Sequence, residues 1–342
     1  MTKTESLPTY VDIALKAGVS TKTVCNVIRY PEIVRKKTGD KVLQALRELG
    51  VEDLGAMKAR LRPTRSSQSK SLLFLETGIS AAAWSSPVYA KIILAAQSHA
   101  HEEGWQFSLH HKKETESLAA ALRNFKGEGV VLFGKATLFK ELSAAIPSVA
   151  AVRLLEPPDG GADCDNVDYD RPEVSRLAAQ HLRTLGCKKV AFIGIPSVRR
   201  TAFLESAAQC QLNLIDGTTD GLFEMNNSGQ VVNRLALQKA WRKIAARNPE
   251  GIFVHSDQIA NALYSVLAET GVRPQRDVHI VSCNAEELFL SPLHPRPATI
   301  DIHSGEIGRR GVDLLISRIR HREAPPISVI IRPKLIPGES VH

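Results

Sequence analysis

Short apolar segments alternate with longer amphipathic segments along most of this 342-residue chain, from Ser71 onward. The strand candidates, most of them mainly apolar, are 72–75, 106–109, 129–133, 149–152, 190–194, 251–255 and 279–282. The helix candidates between most of them are 88–103, 116–124, 173–185, 232–247 and 258–270. This alternation predicts parallel sheets with helices on both faces. Because about 270 residues exceed what one sheet needs, we expect an α/β core of two similar lobes with a cleft between them.

A different pattern precedes this core, namely two short helical segments separated by Ala17-Gly18-Val19-Ser20. Gly18 can adopt the left-handed conformation that ends a helix, and Ser20 is a favourable N-cap for the next one. A third helix should begin near residue 37 and stop at Gly50. The residues predicted to face inward are Val24, Val27, Ile28, Val42, Leu43, Ala45, Leu46 and Leu49. Residues 1–50 therefore predict a helix-turn-helix domain, with an ordinary surface pair of helices as the alternative.

Basic residues concentrate in the same part of the chain. Residues 1–70 carry 14 Lys and Arg against 7 Asp and Glu, whereas the remaining 272 residues carry 30 against 29. A basic excess confined to one small domain can neutralise phosphates and release their counterions. The charge distribution therefore favours double-stranded DNA as the partner of the N-terminal domain.

Several motifs point to one family. The strongest are Asp12-Ile13-Ala14, Ala17-Gly18-Val19-Ser20 and Thr23-Val24, and weaker ones such as Ser86-Pro87-Val88-Tyr89 and Ser256-Asp257-Gln258 follow through the core. On these residues the chain resembles the lactose and galactose repressor family of bacterial transcription regulators. The resemblance implies an N-terminal all-α helix-turn-helix domain, followed by an α/β two-lobed core like that of periplasmic binding proteins. It also implies a repressor, acting as a homodimer or homotetramer, whose affinity for operator DNA is controlled by a small-molecule effector.

Six side chains in the turn and the second helix are candidates for DNA contact. Residues at the start and on the outer face of such a helix meet base edges, whereas its flanking polar residues meet phosphates. The candidates for base edges are Thr21, Lys22 and Asn26, and those for phosphates are Ser20, Thr23 and Arg29. Cys25, Asn26 and Arg29 depart from the residues usual in the family. We therefore expect an operator sequence of this protein's own.

Residues 51–70 have the composition of a hinge or linker, with Gly55, Pro63 and a Ser-rich run. In the family this stretch forms a short helix that wedges a Leu into the minor groove, which makes Leu61 the candidate wedge. The alternative is that Leu61 is a linker residue that contacts the core.

The family pattern also divides residues 71–342, the effector-binding and dimerisation core. Lobe 1 is expected over 71–167 and 297–326, and lobe 2 over 168–296 and 327–342. The expected effector-binding residues lie near strand ends or helix starts and are Tyr89, Arg200, Ser256, Asp257 and Asn284. Arg200 should bind hydroxyl or carboxyl groups, unless it is a surface salt-bridge residue.

The candidate effectors are a sugar, a sugar acid or a related metabolite, with a polyol, a nucleoside or no effector at all as alternatives. Asn284 stands where the family commonly has Asp, and the loss of that negative charge beside Arg200 favours an anionic effector.

No arrangement of residues typical of an enzyme is present in the sequence. The segment from Gly129 to Lys135 imitates a phosphate-binding loop, but Ala136 replaces the required Ser or Thr. The cysteines are scattered without C-x-x-C spacing, and we expect neither a metal site nor a cofactor.

We expect a cytoplasmic protein, because no apolar run approaches a membrane span and the N-terminus lacks a signal-like segment. The alternative function is a two-lobed solute-binding or sensor protein without an operator. The basic N-terminal domain argues against that alternative.

Overall fold

A computed structural model of the chain describes residues 8, 10–29, 34–51, 70–77, 86–113, 115–134, 141–142, 149–155, 164–226 and 229–339. At residues 10, 11, 22, 25, 29 and 134 the description covers the backbone alone. The chain forms two compact units, residues 1–68 and 69–342. Within the described ranges, every helix is too short or too polar to cross a lipid bilayer.

The first unit contains the helices α1 (Tyr10–Ala17), α2 (Thr21–Arg29) and α3 (Lys36–Glu48). Their inner faces share one apolar cluster, made of Ile13, Ala14, Val24, Val27, Ile28, Val42, Leu46 and Val51. Gly18 follows α1 at φ +64°, and Gly50 follows α3 at φ +76°, so both chain reversals use the left-handed conformation that favours glycine. The predicted helix-turn-helix arrangement is confirmed.

The first lobe of the second unit is built on a six-stranded parallel sheet. In spatial order its strands are β13 (Ser328–Ile331), β5 (Asp165–Tyr169), β4 (Ala150–Leu154), β3 (Gly129–Gly134), β1 (Ser71–Thr77) and β2 (Gln106–Lys112). Its helices are α4 (Pro87–Glu102), α5 (Leu118–Leu122) and α11 (Ser304–Arg320). α4 and α11 share a core with Phe74 and Val131, and α5 shares one with Leu73 and Val130, so alternate residues of each strand face opposite layers.

The second lobe repeats this plan. Its sheet contains, in order, β14 (Lys334–Ile336), β12 (Ala298–Asp301), β11 (His279–Cys283), β10 (Gly251–Val254), β6 (Lys189–Ile193) and β7 (Asn213–Asp216). Its helices are α6 (Arg171–Thr184), α7 (Val198–Gln209), α8 (Arg234–Ala245), α9 (Asp257–Glu269) and α10 (Glu287–Leu290). A hairpin of β8 (Phe223–Asn226) and β9 (Gly229–Val232) lies between β7 and α8. The strand β14 pairs antiparallel with β12, whereas the other pairs are parallel.

Within the described residues, the chain crosses between the lobes at three places, namely between β5 and α6, between β12 and α11, and between β13 and β14. The lobe boundaries expected at 297 and 327 are therefore corrected. Residues 298–301 pair with β11 in lobe 2, and residues 328–331 pair with β5 in lobe 1. The reason is physical, because a strand of four residues belongs to whichever sheet satisfies its backbone hydrogen bonds, and the sequence does not reveal its neighbour.

The helices α4 and α11 approach each other closely at Gly308. A Cβ atom built there would lie 2.2 Å from the carbonyl oxygen of Ile92 and 3.0 Å from the amide nitrogen of Ala96. Because both atoms belong to the backbone, no side-chain rotation could make room, and this crossing requires a glycine.

Candidate nucleic-acid interface and ligand cleft

The turn between α1 and α2 is fixed by its own hydrogen bonds. The Ser20 hydroxyl oxygen accepts a hydrogen bond from the amide nitrogen of Thr23 at 3.1 Å and lies 2.9 Å from the Thr23 hydroxyl. This is the N-cap geometry that the sequence predicts for the second helix. The Val19 amide donates to the carbonyl of Ala14 at 3.0 Å, which closes the end of α1 around Gly18.

The outer face of α2 is polar. Thr21 is exposed and Asn26 is partly exposed, whereas Val24, Val27 and Ile28 are buried. The backbone of α2 includes the predicted DNA-contacting residues Lys22 and Arg29, but their side chains lie outside the described residues, as does all of Leu61. The side chains of Ser20, Thr21, Thr23 and Asn26 are therefore the predicted contacts that the structure describes.

An ion pair connects the first and third helices. Lys16 Nζ lies 3.3 Å from a carboxylate oxygen of Glu48, and Gln44 donates to the other oxygen at 3.1 Å. The hydrogen bonds from Lys16 and Gln44 lower the pKa of Glu48 below its usual value. The pair lies on the surface, so the apolar cluster is the main source of stability for the turn.

A cavity of about 520 Å³ lies between the two lobes of the second unit. It opens at the carboxyl ends of strands from both sheets, where open α/β folds bind their ligands. Tyr89 and Phe133 of lobe 1 line it with their rings 4.8 Å apart in an edge-to-face contact, and Phe223 lines it from the hairpin of lobe 2. The cavity thus combines aromatic side chains, which can pack against a ligand ring, with a polar end.

Arg199, rather than the predicted Arg200, lines the cavity. Its side chain is buried and donates to the carbonyl oxygen of His255, to the Tyr169 hydroxyl at 3.0 Å and to Asn284 Oδ1 at 3.4 Å. All three acceptors are neutral, so the guanidinium charge is not compensated by a direct carboxylate contact among these hydrogen bonds. Such a group favours ligand oxygens, and anionic ones most.

Arg200 points away from the cavity and forms an ion pair with Asp216 at 2.5 Å. Burial raises the pKa of Asp216, but hydrogen bonds from Arg200 and Thr218 outweigh burial and bring the pKa down to about 2. The salt-bridge interpretation of Arg200 therefore agrees with the structure. Adjacent residues of a helix differ in direction by about 100°, which is why a choice between two neighbouring arginines needs the fold.

Asp257, also predicted to bind the effector, lies behind the cavity wall instead of in it. Its carboxylate is completely buried and accepts from the Ser282 hydroxyl at 2.5 Å, the Thr299 hydroxyl at 2.8 Å and the Glu286 amide at 2.8 Å. Burial raises the pKa of Asp257 to about 6 in spite of these hydrogen bonds. The residue organises the ends of β11 and β12 and does not itself reach a ligand.

The remaining predicted residues, Tyr89, Ser256 and Asn284, do line the cavity. Ser256 also caps α9, because its hydroxyl oxygen accepts from the Ile259 amide at 3.4 Å. Asn284 has φ +108°, an unusual backbone conformation that places its amide within reach of Arg199.

Three charged groups near the cavity escaped the sequence-based prediction: Arg171, Arg199 and Glu286. Arg171 forms an ion pair with Asp168 at 2.9 Å, and its guanidinium lies 4.8 Å from the centre of the Tyr169 ring. Only Arg199 had a sequence signal, as the neighbour of a family arginine. In the described part of the chain, His, Cys, Asp and Glu side chains form no cluster that could hold a metal ion.

Comparison with known proteins matches both parts of the chain to family models. Residues 9–51 match the model described as bacterial regulatory proteins, lacI family. Residues 179–341 match the model described as periplasmic binding protein-like domain.

The relatives and solved structures extend the similarity to nearly the whole chain. The HTH-type transcriptional repressor PurR of Haemophilus influenzae (strain Rd) is 26% identical over 332 residues, covering 93% of each chain. The HTH-type transcriptional repressor MelR of Bacillus subtilis (strain 168) is 27% identical, covering 94% of this chain and 95% of that protein. A structure of the Lac repressor bound to ONPG has a TM-score of 0.66 at 18% identity, covering 98% of this chain and 100% of that one. A complex of the transcriptional regulator CelR with cellobiose has the same TM-score at 23% identity, with the same coverage of both chains.

Proposed function

We propose that this chain, whose residues 9–51 match the lacI family of bacterial regulatory proteins, represses transcription by binding an operator, and that a small molecule in the cleft controls this binding. The single observation that carries the proposal is the pairing of a capped, polar-faced α2 with a cleft lined from two lobes in one chain. Relatives named as repressors support it, because the similarity covers 93% of PurR and 95% of MelR. The family is regulatory rather than enzymatic, and we propose no catalytic role.

Thr21, Lys22 and Asn26 are the proposed base-contacting residues. The structure describes the side chains of Thr21 and Asn26. Asn can bond adenine through two hydrogen bonds, and Lys can donate to guanine. Ser20, Thr23 and Arg29 are proposed to contact phosphates, and Leu61 to act in the hinge. The basic excess of residues 1–70 supports this assignment because phosphate contacts supply most of the non-specific affinity.

The proposed effector presents acceptor oxygens to Arg199 and a ring to Tyr89 and Phe133. Sugar acids satisfy both conditions, and the neutral acceptors around Arg199 favour them over neutral sugars. The CelR structure, which holds cellobiose, supports a carbohydrate-like ligand for this fold.

We propose that two copies of the chain, or a pair of such dimers, bind a pseudo-palindromic operator in the cytoplasm. One helix-turn-helix reads only a few base pairs, and two related by a two-fold axis read two half-sites about one helical turn apart.

Selection of fragments from the host's genomic DNA by the full chain, at a fixed salt concentration, tests the DNA-binding role. We expect Asn26→Ala to lower affinity by about 1–3 kcal/mol and to relax the preference at one base pair. Gln44→Ala is the matched control, because Gln44 is an exposed amide on α3 whose side chain contacts Glu48. If the wild-type chain enriched no sequence, the proposal would fail.

Calorimetric titration with a panel of sugar acids and the corresponding neutral sugars tests the effector. We expect Arg199→Ala to abolish binding and Arg200→Ala to preserve it, since only the first side chain lines the cavity. Binding of neutral hexoses without any acid would contradict the proposed ligand class.

A further inference from the structure

The helix α4 of lobe 1 begins without a cap of its own. Ser86 occupies the N-cap position with an extended backbone, but its side chain makes no capping hydrogen bond. Pro87 follows and has no amide hydrogen, so the Val88 amide is the first donor that the helix presents. This amide donates to Glu286 Oε1 at 3.2 Å, across 198 residues of sequence.

Glu286 belongs to lobe 2, where it precedes α10 and follows β11. Its own amide donates to the buried Asp257 carboxylate at 2.8 Å, and Asp257 is held in turn by Ser282 and Thr299. The two residues before it, Asn284 and Ala285, both have positive φ angles, +108° and +55°. The loop is therefore held in an unusual conformation that carries the Glu286 carboxylate to the opposite lobe.

The contact is favourable to α4 for two reasons. A carboxylate beside the N-terminus of a helix satisfies an orphan amide and lies at the positive end of the helix dipole. Both effects are larger here than on the surface, because Glu286 is buried. Keeping this carboxylate ionised inside the protein is unfavourable, because burial and the charge of Asp257 raise the pKa of Glu286 to about 7.

We propose that Glu286 is an interlobe latch, a positioning residue that caps α4 from the other lobe and thereby holds the cleft at the angle seen here. Glu286 also lines the cavity, so a cleft ligand binds beside the latch and acts on the same angle. A role of this latch in regulation rests on the proposed function, in which an effector binds in the cleft. The Glu286 contact itself is made in the ligand-free protein, so it can be tested separately from effector binding.

The first test is amide hydrogen exchange in the ligand-free full chain, resolved to single residues by fragmentation mass spectrometry. In Glu286→Ala, exchange at Val88 should rise roughly tenfold or more, because a hydrogen bond to a charged acceptor is lost. Glu286→Gln retains an acceptor without the charge and should show a smaller rise. Glu287→Gln is the matched control, since Glu287 is the next residue but pairs with Arg296 within lobe 2.

The second test separates a latch from a merely local cap. Spin labels carried by unnatural amino acids at the exposed positions 103 and 247, one in each lobe, report the distance between the lobes by pulsed electron paramagnetic resonance. We expect a longer or broader distribution in Glu286→Ala and Glu286→Gln, and the wild-type distribution in Glu287→Gln. An unchanged distance in both Glu286 variants, or unchanged Val88 exchange, would overturn the proposal. Because Gln preserves side-chain size and the hydrogen bond that the backbone amide of residue 286 donates to Asp257, it keeps the test valid if Ala unfolds lobe 2.

Discussion

Two adjacent arginines show what single residues do and do not reveal. The sequence indicated an arginine at the start of the helix after β6, and the structure contains one in the cleft there, but it is Arg199 and not Arg200. Residue type and approximate position can be inferred from a motif. The direction of a side chain depends on the turn of the helix, and Glu286, which follows a strained loop, had no local signal at all.

The Arg200–Asp216 pair predicts a loss of stability in acid. A carboxylate with a lowered pKa contributes stability that is present above its unfolded value near 3.8 and is lost as the pH falls toward about 2. In Arg200→Gln the free energy of unfolding should fall less in acid than it does in the wild type. The difference should not exceed about 1 kcal/mol, because the pair is about one-third exposed and solvent screens it. Denaturant unfolding at pH 5 and pH 2.5 measures the difference. Equal acid sensitivity in both proteins would show that the pair is not responsible.

At the level of elements, the structure follows the sequence wherever the signal is local. The turn between α1 and α2 was predicted to the residue, because Gly18 and Ser20 act through their own backbone and hydroxyl. The helix α11 was not among the predicted helices, and it contains Gly305, Gly308 and Gly311, a residue type that disfavours helix interiors. Packing explains two of them: a Cβ at Gly308 would strike the backbone of α4, and one at Gly311 would lie 2.8 Å from Leu154.

This packing makes Gly308→Ala a sharp test of the α4–α11 contact. We expect it to lower the free energy of unfolding by about 3 kcal/mol or more, because the new methyl group meets backbone that cannot rotate away. Gly305→Ala is the control, since its nearest neighbour would be Ala95 Cβ at 3.8 Å, an ordinary contact. That variant should be neutral or slightly more stable, as alanine favours a helix. A similar cost for both would refute the explanation.

The same two helices are joined by a histidine. His99 Nε2 lies 2.6 Å from Asp313 Oδ1, and this hydrogen bond raises the pKa of His99 above its usual value of 6.5. A raised pKa contributes stability that is present below pH 6.5 and is lost as the pH rises through the folded value. Asp313→Asn should reduce this decline between pH 6 and pH 8, by at most about 1 kcal/mol. Thermal unfolding across that range, with His101→Asn as an exposed-histidine control, measures it.

At the scale of the whole molecule, length and alternation were enough to predict two α/β lobes and a cleft, and the structure confirms both lobes. Where the chain changes lobes could not be read from the sequence. The strands β12, β13 and β14 have only three or four residues each, and their partners lie at distant places in the chain. Strands this short carry little pattern of their own.

The charge asymmetry predicts that the two binding activities respond differently to salt. Residues 1–70 hold a twofold excess of basic residues, whereas the rest of the chain is almost balanced. Raising salt from 50 to 200 mM should weaken operator binding by roughly 10³ or more if six or more phosphates are contacted per dimer. Effector affinity should change far less. Fluorescence anisotropy and calorimetry over the same salt series compare them, and an operator affinity insensitive to salt would contradict the proposed phosphate contacts.

The three crossings between the lobes lie side by side. Tyr169 is the register partner of Ile331, and Asp301 is the register partner of Lys334, so the three connecting segments form a row. Two bodies joined along a row keep one easy rotation, about that row, and resist the others. Any ligand or substitution that opens or closes the cleft then changes the same angle between the lobes. A substitution that shifts this angle can therefore be offset by a second substitution that shifts it back. A substitution that loosens the Glu286 contact should accordingly have suppressors in the connectors, far from the residue that was changed.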